Sequence, residues 1–383
     1  MLISVINPIQ ATWIFSTIFF VALLIFIKPR KITEWFPSSL TTELKGLAII
    51  MIVLSHIGYF LVTDTRFLWP LSIMAGVGVN LFLLLSGYGL TASQMKKDLS
   101  IWQFYKKRLL KLFVPFWLVL IVFFALDFFA LHHGYSLSYT FKAFLGIFTH
   151  ADLYEDINSP LWYFTFIIGY YLLFPLVFIK KKPWLTAIIL CAAGYLLLYV
   201  SPASLDYVIH LYRIHVIAFP LGILAAWGVT KLKNPEILEK LSRGWKAFGY
   251  YFVMLVLLGV FFYANYNSGV GGSPANEQWM SLIAVVAISL VFVLKKIEFR
   301  LFYWVGLYSY EIYLWHWPIM YHYDFLYRFM PVWLATPLYL VFFVALGWGT
   351  SKLVELIMGK KPTSVVSPVS SIVDKNKKVL YNN

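Results

Sequence analysis

The chain of 383 residues is 61% hydrophobic and only 13% charged, with a mean hydropathy of +0.77. Soluble domains are about half apolar and a quarter charged, so this composition excludes an ordinary soluble protein and indicates a membrane protein with many spans. The net charge of +14 would suggest nucleic-acid binding in a soluble protein, but the basic residues lie in loops between apolar runs, so we predict no nucleic-acid partner. The single cysteine, Cys191, excludes an internal disulfide and argues against a thiolate metal site, so we expect no metal.

About eleven apolar runs, each of the roughly 20 residues that a spanning helix needs, follow one another along the chain. They begin near Ala11, Leu44, Met74, Leu110, Leu161, Trp184, Tyr207, Ala247, Gln278, Leu301 and Trp333. The first run, Ala11 to Ile27, lacks the basic start and the cleavage site of a signal peptide, so we predict a retained helix. The sequence therefore predicts an all-α polytopic helix bundle of about eleven transmembrane helices.

The charge of the loops alternates along the chain. "KPRKITEW", "KKKP" and "KKIEFR" are basic, whereas "TDTR", "HADLYEDINSP" and "SPASLD" are neutral or acidic. Because basic loops remain in the cytoplasm, we predict an outer N-terminus and a cytoplasmic C-terminal tail that contains Lys360 and Lys361. The alternation holds at every loop, which supports an odd number of crossings.

The second run, "ELKGLAIIMIVLSHIGYF", carries a lysine and a histidine on an otherwise apolar helix. Lys45 and His56 are eleven residues apart, so they share one helix face and lie about 16 Å apart along it. This spacing puts Lys45 at the inner surface and His56 near the middle of the membrane. Lys45 alone would be a snorkelling anchor, and His56 alone a hydrogen bond between helices. Polar side chains inside a membrane are rare and costly, so we favour a functional role for His56.

The third run, "GVGVNLFLLLSGYGLTAS", is rich in glycine and also contains Ser86. Small residues let helices approach closely, so we interpret its glycines as packing residues. No G-x-S-x-G pattern surrounds Ser86, which argues against a nucleophilic serine.

The loop "QMKKDLSIWQFYKKRLLK" is more basic than orientation alone requires. Lys107, Arg108 and Lys111 lie within five positions, and Arg108 and Lys111 share a helix face at the inner membrane surface. Such a pair suits a phosphate-bearing ligand or anionic lipid headgroups.

Other polar residues lie in the outer third of their predicted helices. They are Asn80, Asp127, Arg213 and His215. They would suit a polyhydroxyl acceptor in an outward cavity, and equally a salt-bridged bundle core. The sequence alone does not separate these two interpretations.

The tenth run contains "GLYSYEIYLWHWP", with a carboxylate and a second histidine. Glu311 lies eleven residues past Arg300, so we predict that it lies at the depth of His56 and pairs with it. His316 lies about 140° from Glu311 around the helix, assuming about 100° per residue, so we expect different partners for these two. The alternative for His316 is an aromatic belt that meets interfacial water.

Five of these segments, taken in order, resemble the acyltransferase family 3 integral-membrane proteins. They are "LKGLAIIMIVLSH", "NLFLLLSGYGLT", "FYKKRLLKLFVPFW", "LWYFTFIIGYYLLFPL" and "LYSYEIYLWHWP". The resemblance implies a ten-helix core, so the first helix is an addition. We therefore predict an additional helix and linker in residues 1–42, an acyltransferase core in 43–358 and a disordered cytoplasmic tail in 359–383.

The family motifs map to particular positions, with two departures. Lys45 stands where the family usually has arginine, and Lys111 replaces the second arginine of an R-x-x-R pattern, so both lose the bidentate guanidinium fork. Phe82, Ser86 and Gly87 match F-x-x-x-S-G, and Ser309, Tyr310, Tyr313 and His316 match S-Y-x-I-Y-L-x-H. A family arginine precedes the F-x-x-G of Phe219 and Gly222; either Arg213 or His215 takes that place.

The resemblance implies transfer of an acyl group, usually acetyl, from cytoplasmic acyl-CoA to a hydroxyl of a cell-envelope or exported carbohydrate. Lys45, Lys107, Arg108 and Lys111 would bind acyl-CoA, and His56, poised by Glu311, would be the general base or an acyl carrier. The predicted acceptor-binding residues are Asn80, Asp127, Trp162, Arg213, His215, Tyr313 and His316. We expect a multi-pass protein of a bacterial plasma membrane, with no prediction of its oligomeric state. The alternatives are a transporter or flippase of lipid-linked sugars, for which we find no paired halves, and a glycan polymerase, which typically has a larger outer loop.

Overall fold

The computed structural model describes residues 3–61, 66–97, 100–269 and 273–359, and these form an almost wholly helical chain. The helices are α1 (Pro8–Ile25), α2 (Ser38–Ile57), α3 (Ala75–Lys96), α4 (Ile101–Ala130), α5 (Leu137–Phe144), α6 (Trp162–Val177), α7 (Pro183–Val200), α8 (Ile209–His215), α9 (Ala218–Val229), α10 (Ile237–Leu241), α11 (Lys246–Asn267), α12 (Pro274–Leu294), α13 (Arg300–Leu307), α14 (Ser309–Tyr321) and α15 (Val332–Ile357). Two short strands, β1 (Ile27–Pro29) and β2 (Ile297–Phe299), pair antiparallel.

Ten helical segments of the described chain are long and apolar enough to cross a membrane, which confirms the predicted all-α polytopic bundle. The run predicted near Leu301 is instead two helices, α13 and α14, which meet at Tyr308. Together they follow β2 and pack along α2. The added helix α1 lies at the periphery against α13 and α15. The tail predicted to be disordered lies, apart from Gly359, outside the described residues.

Three of the basic segments meet at one end of the bundle, here called the basic end. The strands β1 and β2 pair there, and the backbone N–H of Arg30 donates to the carbonyl of Lys296. Ile32, Leu238 and Tyr250 form a small apolar cluster beside them. The charge alternation therefore identified segments that lie together in space.

A buried ion pair reinforces this end and was not predicted from the sequence. The ammonium of Lys295 donates to the Glu43 carboxylate over 2.6 Å, and the Glu43 and Lys295 side chains are only 1% and 4% exposed. The same carboxylate oxygen accepts the backbone N–H of Phe299, and Lys295 also donates to the carbonyl of Ile297. A buried charge requires an opposite charge and hydrogen bonds, which Glu43 and Lys295 supply to each other and receive from the backbone. These bonds hold the start of α2 against the strand pair.

The closest helix contact joins α2 to α13 through a glycine on each. A Cβ on Gly46 would overlap the carbonyl oxygen of Phe302, and a Cβ on Gly306 would overlap that of Thr42. Only glycine lets the two backbones touch at this crossing. The contact aligns Gly46 with Gly306, an offset of 260 residues.

A second glycine pair joins α3 to α9. A Cβ on Gly87 would overlap the carbonyl oxygen of Phe219, and one on Gly222 would overlap that of Leu84. The packing interpretation is therefore confirmed for Gly87. Gly89 differs, because a Cβ there would have no described atom within 4 Å.

Candidate active site

The two intramembrane histidines singled out in the sequence meet directly. Nδ1 of His56 lies 2.8 Å from Nε2 of His316, with the ring planes 14° apart. His316 is completely buried, whereas His56 is partly exposed at the last turn of α2. The indole of Trp317 packs edge-on against His56, with ring centroids 5.1 Å apart.

The hydrogen-bond partners of this pair assign its protons. Nδ1 of His316 lies 2.8 Å from the carbonyl oxygen of Tyr313, and a carbonyl can only accept, so this nitrogen carries a proton. With both rings neutral, Nε2 of His316 has the lone pair and Nδ1 of His56 is the donor. The remaining lone pair of His56 is then on Nε2, which fits the requirement for a general base.

The predicted pairing of Glu311 with His56 is wrong. The charges that act on Glu311 are those of Lys111 and Lys45, and the ring partner of His56 is His316. The offset of 260 residues fixed at Gly46 and Gly306 also relates His56 to His316. With the same offset, Glu311 lies beside α2 at a level five residues before His56, which is nearer the basic end. Counting from Arg300 missed this register because the count takes no account of how the two helices pack. The expectation that Glu311 and His316 have different partners is confirmed.

A compact charged cluster, here called the basic cluster, consists of Lys45, Arg108, Lys111 and Glu311. Lys45 on α2 interacts electrostatically with Lys111 and Arg108 on α4 and with Glu311 on α14. Of these cations, Lys111 and Lys45 act on the Glu311 carboxylate, whereas Arg108 acts on Lys45. Lys111 is exposed and the other three residues are partly buried. An excess of cations over carboxylates at one place favours an anionic ligand.

Two details define the extent of the basic cluster. Lys107 is exposed on α4 and is not among the residues whose charges act on Lys45. The Nε of Arg108 is buried and, within the described residues, has no hydrogen-bond partner. Arg108 as a whole is partly exposed, so a phosphate oxygen could reach its guanidinium and accept from the free Nε–H.

Tyrosine side chains lie between the basic cluster and the histidine pair. Tyr171 hydrogen-bonds Ser86 and interacts with Arg108, and Tyr310 donates to the carbonyl of Leu112 over 2.8 Å. The ring of Tyr313 is 6.3 Å from that of Tyr310 and 6.2 Å from that of His316. These rings therefore connect the basic cluster to the histidine pair through the bundle.

On the other side of His56 lies a cavity of about 340 Å³, here called the outer cavity. Its wall includes His56, Trp162 and Trp317, together with residues of the loops before α6 and α8. These loops are at the end of the bundle opposite the basic end. His56 is therefore within reach of a molecule in this cavity.

The comparisons agree with this geometry. The family model described as "Acyltransferase domain" (Acyl_transf_3) matches residues 44–352, which include the basic cluster, both histidines and the wall of the outer cavity. The chain belongs to acyltransferase family 3. Comparisons with curated proteins and with solved structures gave no significant match. Membership of this family indicates a transferase that takes an acyl donor and an acceptor in a membrane setting.

Of the seven predicted acceptor residues of this acyltransferase, three lie in or directly behind the wall of the outer cavity. Trp162 lines the outer cavity, and His316 contacts it through His56. Tyr313 lies behind the wall, where its hydroxyl donates to the carbonyl of Pro160 over 2.8 Å. The other four lie outside the cavity wall.

Asn80 and His215 form a buried hydrogen-bonded cluster behind Trp162. Nδ1 of His215 lies 2.9 Å from Oδ1 of Asn80, whose amide donates to the hydroxyl of Ser281 over 2.6 Å. The His215 imidazole stacks on the Trp162 indole at 5.5 Å. These two residues support the cavity wall but do not line it.

Asp127 and Arg213 were expected in the acceptor site and lie elsewhere. The carboxylate of Asp127 is buried and accepts the hydroxyls of Tyr135 and Tyr323. Arg213 is exposed and lines a separate open cavity of about 640 Å³ with Gln278. Of the two candidates for the family arginine position, His215 is therefore the one that faces the outer cavity wall.

Sequence reasoning missed several residues of the outer cavity. They are Tyr59, His150, Asp152, Ser159, Tyr207 and His210. The rings of His150 and Tyr207 stack at 4.3 Å, which joins the two loops. The signal for His150, Asp152 and Ser159 was the histidine and acidic residues of "HADLYEDINSP", a loop between helices where functional residues often lie.

Proposed function

We propose that this acyltransferase moves an acyl group, in the simplest case acetyl, from acyl-CoA at the basic end to a carbohydrate hydroxyl in the outer cavity. The observation that carries the proposal is the position of the His56–His316 pair between the basic cluster and the outer cavity. The positive-inside rule supports a cytoplasmic basic end, where acyl-CoA is available.

The basic cluster is suited to the donor. CoA carries phosphates, and Arg108 has a buried Nε that can donate to one of them. Lys45 and Lys111 add point charges, and Glu311 offsets part of their mutual repulsion. The thioester would extend past Tyr310 and Tyr313 towards His56.

The histidine pair is suited to proton transfer. Nε2 of His56 takes the proton of the acceptor hydroxyl while its oxygen attacks the thioester carbonyl, and the carbon–sulfur bond then breaks. The proton passes to the CoA sulfur, so that the products are an ester and CoA thiol. His316 holds His56 in the tautomer that this step needs. In the alternative route, Nε2 of His56 attacks the thioester carbonyl and the carbon–sulfur bond breaks. The acceptor oxygen then attacks the acyl-histidine, the carbon–nitrogen bond breaks, and the acceptor proton passes to the CoA sulfur.

The decisive experiment uses inside-out membrane vesicles that carry this protein, with envelope glycans enclosed in the lumen, on the side of the outer cavity, and radiolabelled acetyl-CoA added outside, on the side of the basic end. We expect label in an alkali-labile ester with the native chain and loss of at least about a hundredfold in rate with His56→Ala. Lys111→Ala should raise the KM for acetyl-CoA. Lys106→Ala is its matched control, because Lys106 is also exposed on α4 but is not among the charges that act on Lys45. Equal labelling by the native chain and His56→Ala would remove His56 from the mechanism.

The same assay separates the two routes and tests for other functions. A labelled protein trapped by rapid quench without acceptor would support the acyl-histidine route. No ester with any of several acyl-CoA donors and glycans would refute the proposed function and favour a transporter of lipid-linked sugars.

A further inference from the structure

The outer cavity has an unusual distribution of charge. Its described wall consists mainly of aromatic, histidine and small side chains. The described wall contains no lysine, arginine or glutamate, and Asp152 is its single aspartate. No lysine or arginine is among the described residues of this wall, although the chain as a whole is basic. Any group that enters the cavity meets one carboxylate and no described ammonium or guanidinium.

The carboxylate of Asp152 is fixed in place and kept ionised. Its Oδ1 accepts the backbone N–H groups of Tyr154 over 2.7 Å and Glu155 over 2.9 Å. These two hydrogen bonds lower the pKa of Asp152 below its usual value. The backbone N–H of Asp152 in turn donates to the buried carboxylate of Asp156, which also accepts the hydroxyl of Tyr139. The loop therefore holds a negative charge at the cavity wall.

The aromatic side chains supply the rest of the recognition surface. Trp162, Trp317, Tyr59 and Tyr207 line the same cavity, and such rings present flat apolar faces with polar edges. A sugar ring has matching apolar faces and a rim of hydroxyls. An anionic substituent on that ring would find only the Asp152 carboxylate among the charged groups of the described wall.

We propose that the acceptor unit is a saccharide without an anionic group, selected by Asp152 against uronic acids and sugar phosphates. This inference rests on the proposed function, since it assigns the acceptor class of the same cavity. Because Asp152 is exposed to solvent, its repulsion of a second anion is partly screened. We expect discrimination of about fivefold in favour of the neutral sugar, a modest value that reflects this screening.

The test uses the full chain in nanodiscs at pH 8, well above the ordinary pKa of histidine. Pairs of methyl hexosides and methyl hexuronides with the gluco, galacto and manno configurations differ only in the carboxylate. Binding is measured by saturation-transfer NMR, and acyl transfer from acetyl-CoA is measured in parallel. Asp152→Asn keeps an oxygen for the two backbone N–H groups but removes the charge. Glu155→Gln removes one charge from the same loop outside the cavity wall and is the matched control.

We expect the native chain and Glu155→Gln to bind the neutral member about fivefold more tightly, and Asp152→Asn to reduce this preference to less than about twofold. Equal or tighter binding of the hexuronides by the native chain would overturn the inference, as would binding of no neutral hexoside. An equal effect of Glu155→Gln and Asp152→Asn would also overturn it. Transfer without charge preference would leave the proposed function intact, whereas charge-selective binding without transfer would refute only the proposed function.

Discussion

Substitution of Gly306 by alanine tests whether the glycine crossing sets the geometry of the histidine pair. A Cβ at this position would lie 2.8 Å from the carbonyl carbon of Thr42 and nearer still to its oxygen. Carbon atoms in ordinary contact are about 3.5 Å apart, so α2 and α13 must separate by at least about 0.7 Å. Because α14 continues α13, the same displacement would lengthen the 2.8 Å bond between His56 and His316 to about 3.5 Å or more, where a hydrogen bond is lost.

Two losses should follow from this separation. Overpacking of a tight contact costs about 1–3 kcal/mol, so the thermal unfolding midpoint in nanodiscs should fall by several degrees. Loss of the partly buried hydrogen bond between His56 and His316 should raise the barrier to acyl transfer by a further 1–3 kcal/mol, roughly a tenfold to hundredfold decrease in rate. Gly169→Ala is the control, since a Cβ there meets no described atom within 4 Å. If Gly306→Ala matches Gly169→Ala in both midpoint and rate, the register argument is refuted.

Two further predictions concern buried polar pairs. His316→Ala should lower kcat by about tenfold to a hundredfold with little change in the KM for acetyl-CoA. His316→Gln should recover part of the lost kcat, because its amide oxygen can accept from His56. Equal loss of kcat in both variants would contradict the tautomer assignment. Lys295→Met should cost about 3–5 kcal/mol because it leaves the Glu43 carboxylate buried without its cation, and Glu43→Gln in the same chain should recover most of this. A thermal double-mutant cycle measures the coupling, and additive losses would contradict a buried ion pair.

The sequence predicted the architecture well because membrane segments have a strong compositional signal. Runs of apolar residues located the spanning helices, and the alternation of loop charge grouped the segments of the basic end. The break at Tyr308 was not predicted, since no proline or glycine lies between α13 and α14 at that point. The ion pair of Glu43 and Lys295 was also missed, because its two residues are separated by 252 positions and lie in regions that were interpreted as loop and helix start.

The polar residues of the site were found more easily than their partners. His56, Lys45, Glu311 and His316 stand out because such side chains are rare in apolar runs. Their pairing depends on how far one helix slides along another, which composition does not encode. Residue counting from each end placed Glu311 opposite His56, an error of five residues, or about 7.5 Å along a helix.

The correct register was nonetheless present in the sequence as a pair of glycines. Gly46 and Gly306 must face each other because only they allow the backbones of α2 and α13 to touch, and this single contact fixes the offset that relates His56 to His316. A shift of even one residue would move the histidines about 100° around the helix and separate their rings. Packing residues at one end of α2 therefore determine which groups meet at the other end. The glycine crossing is accordingly part of the catalytic geometry proposed for this acyltransferase, although it lies ten residues from the histidine pair.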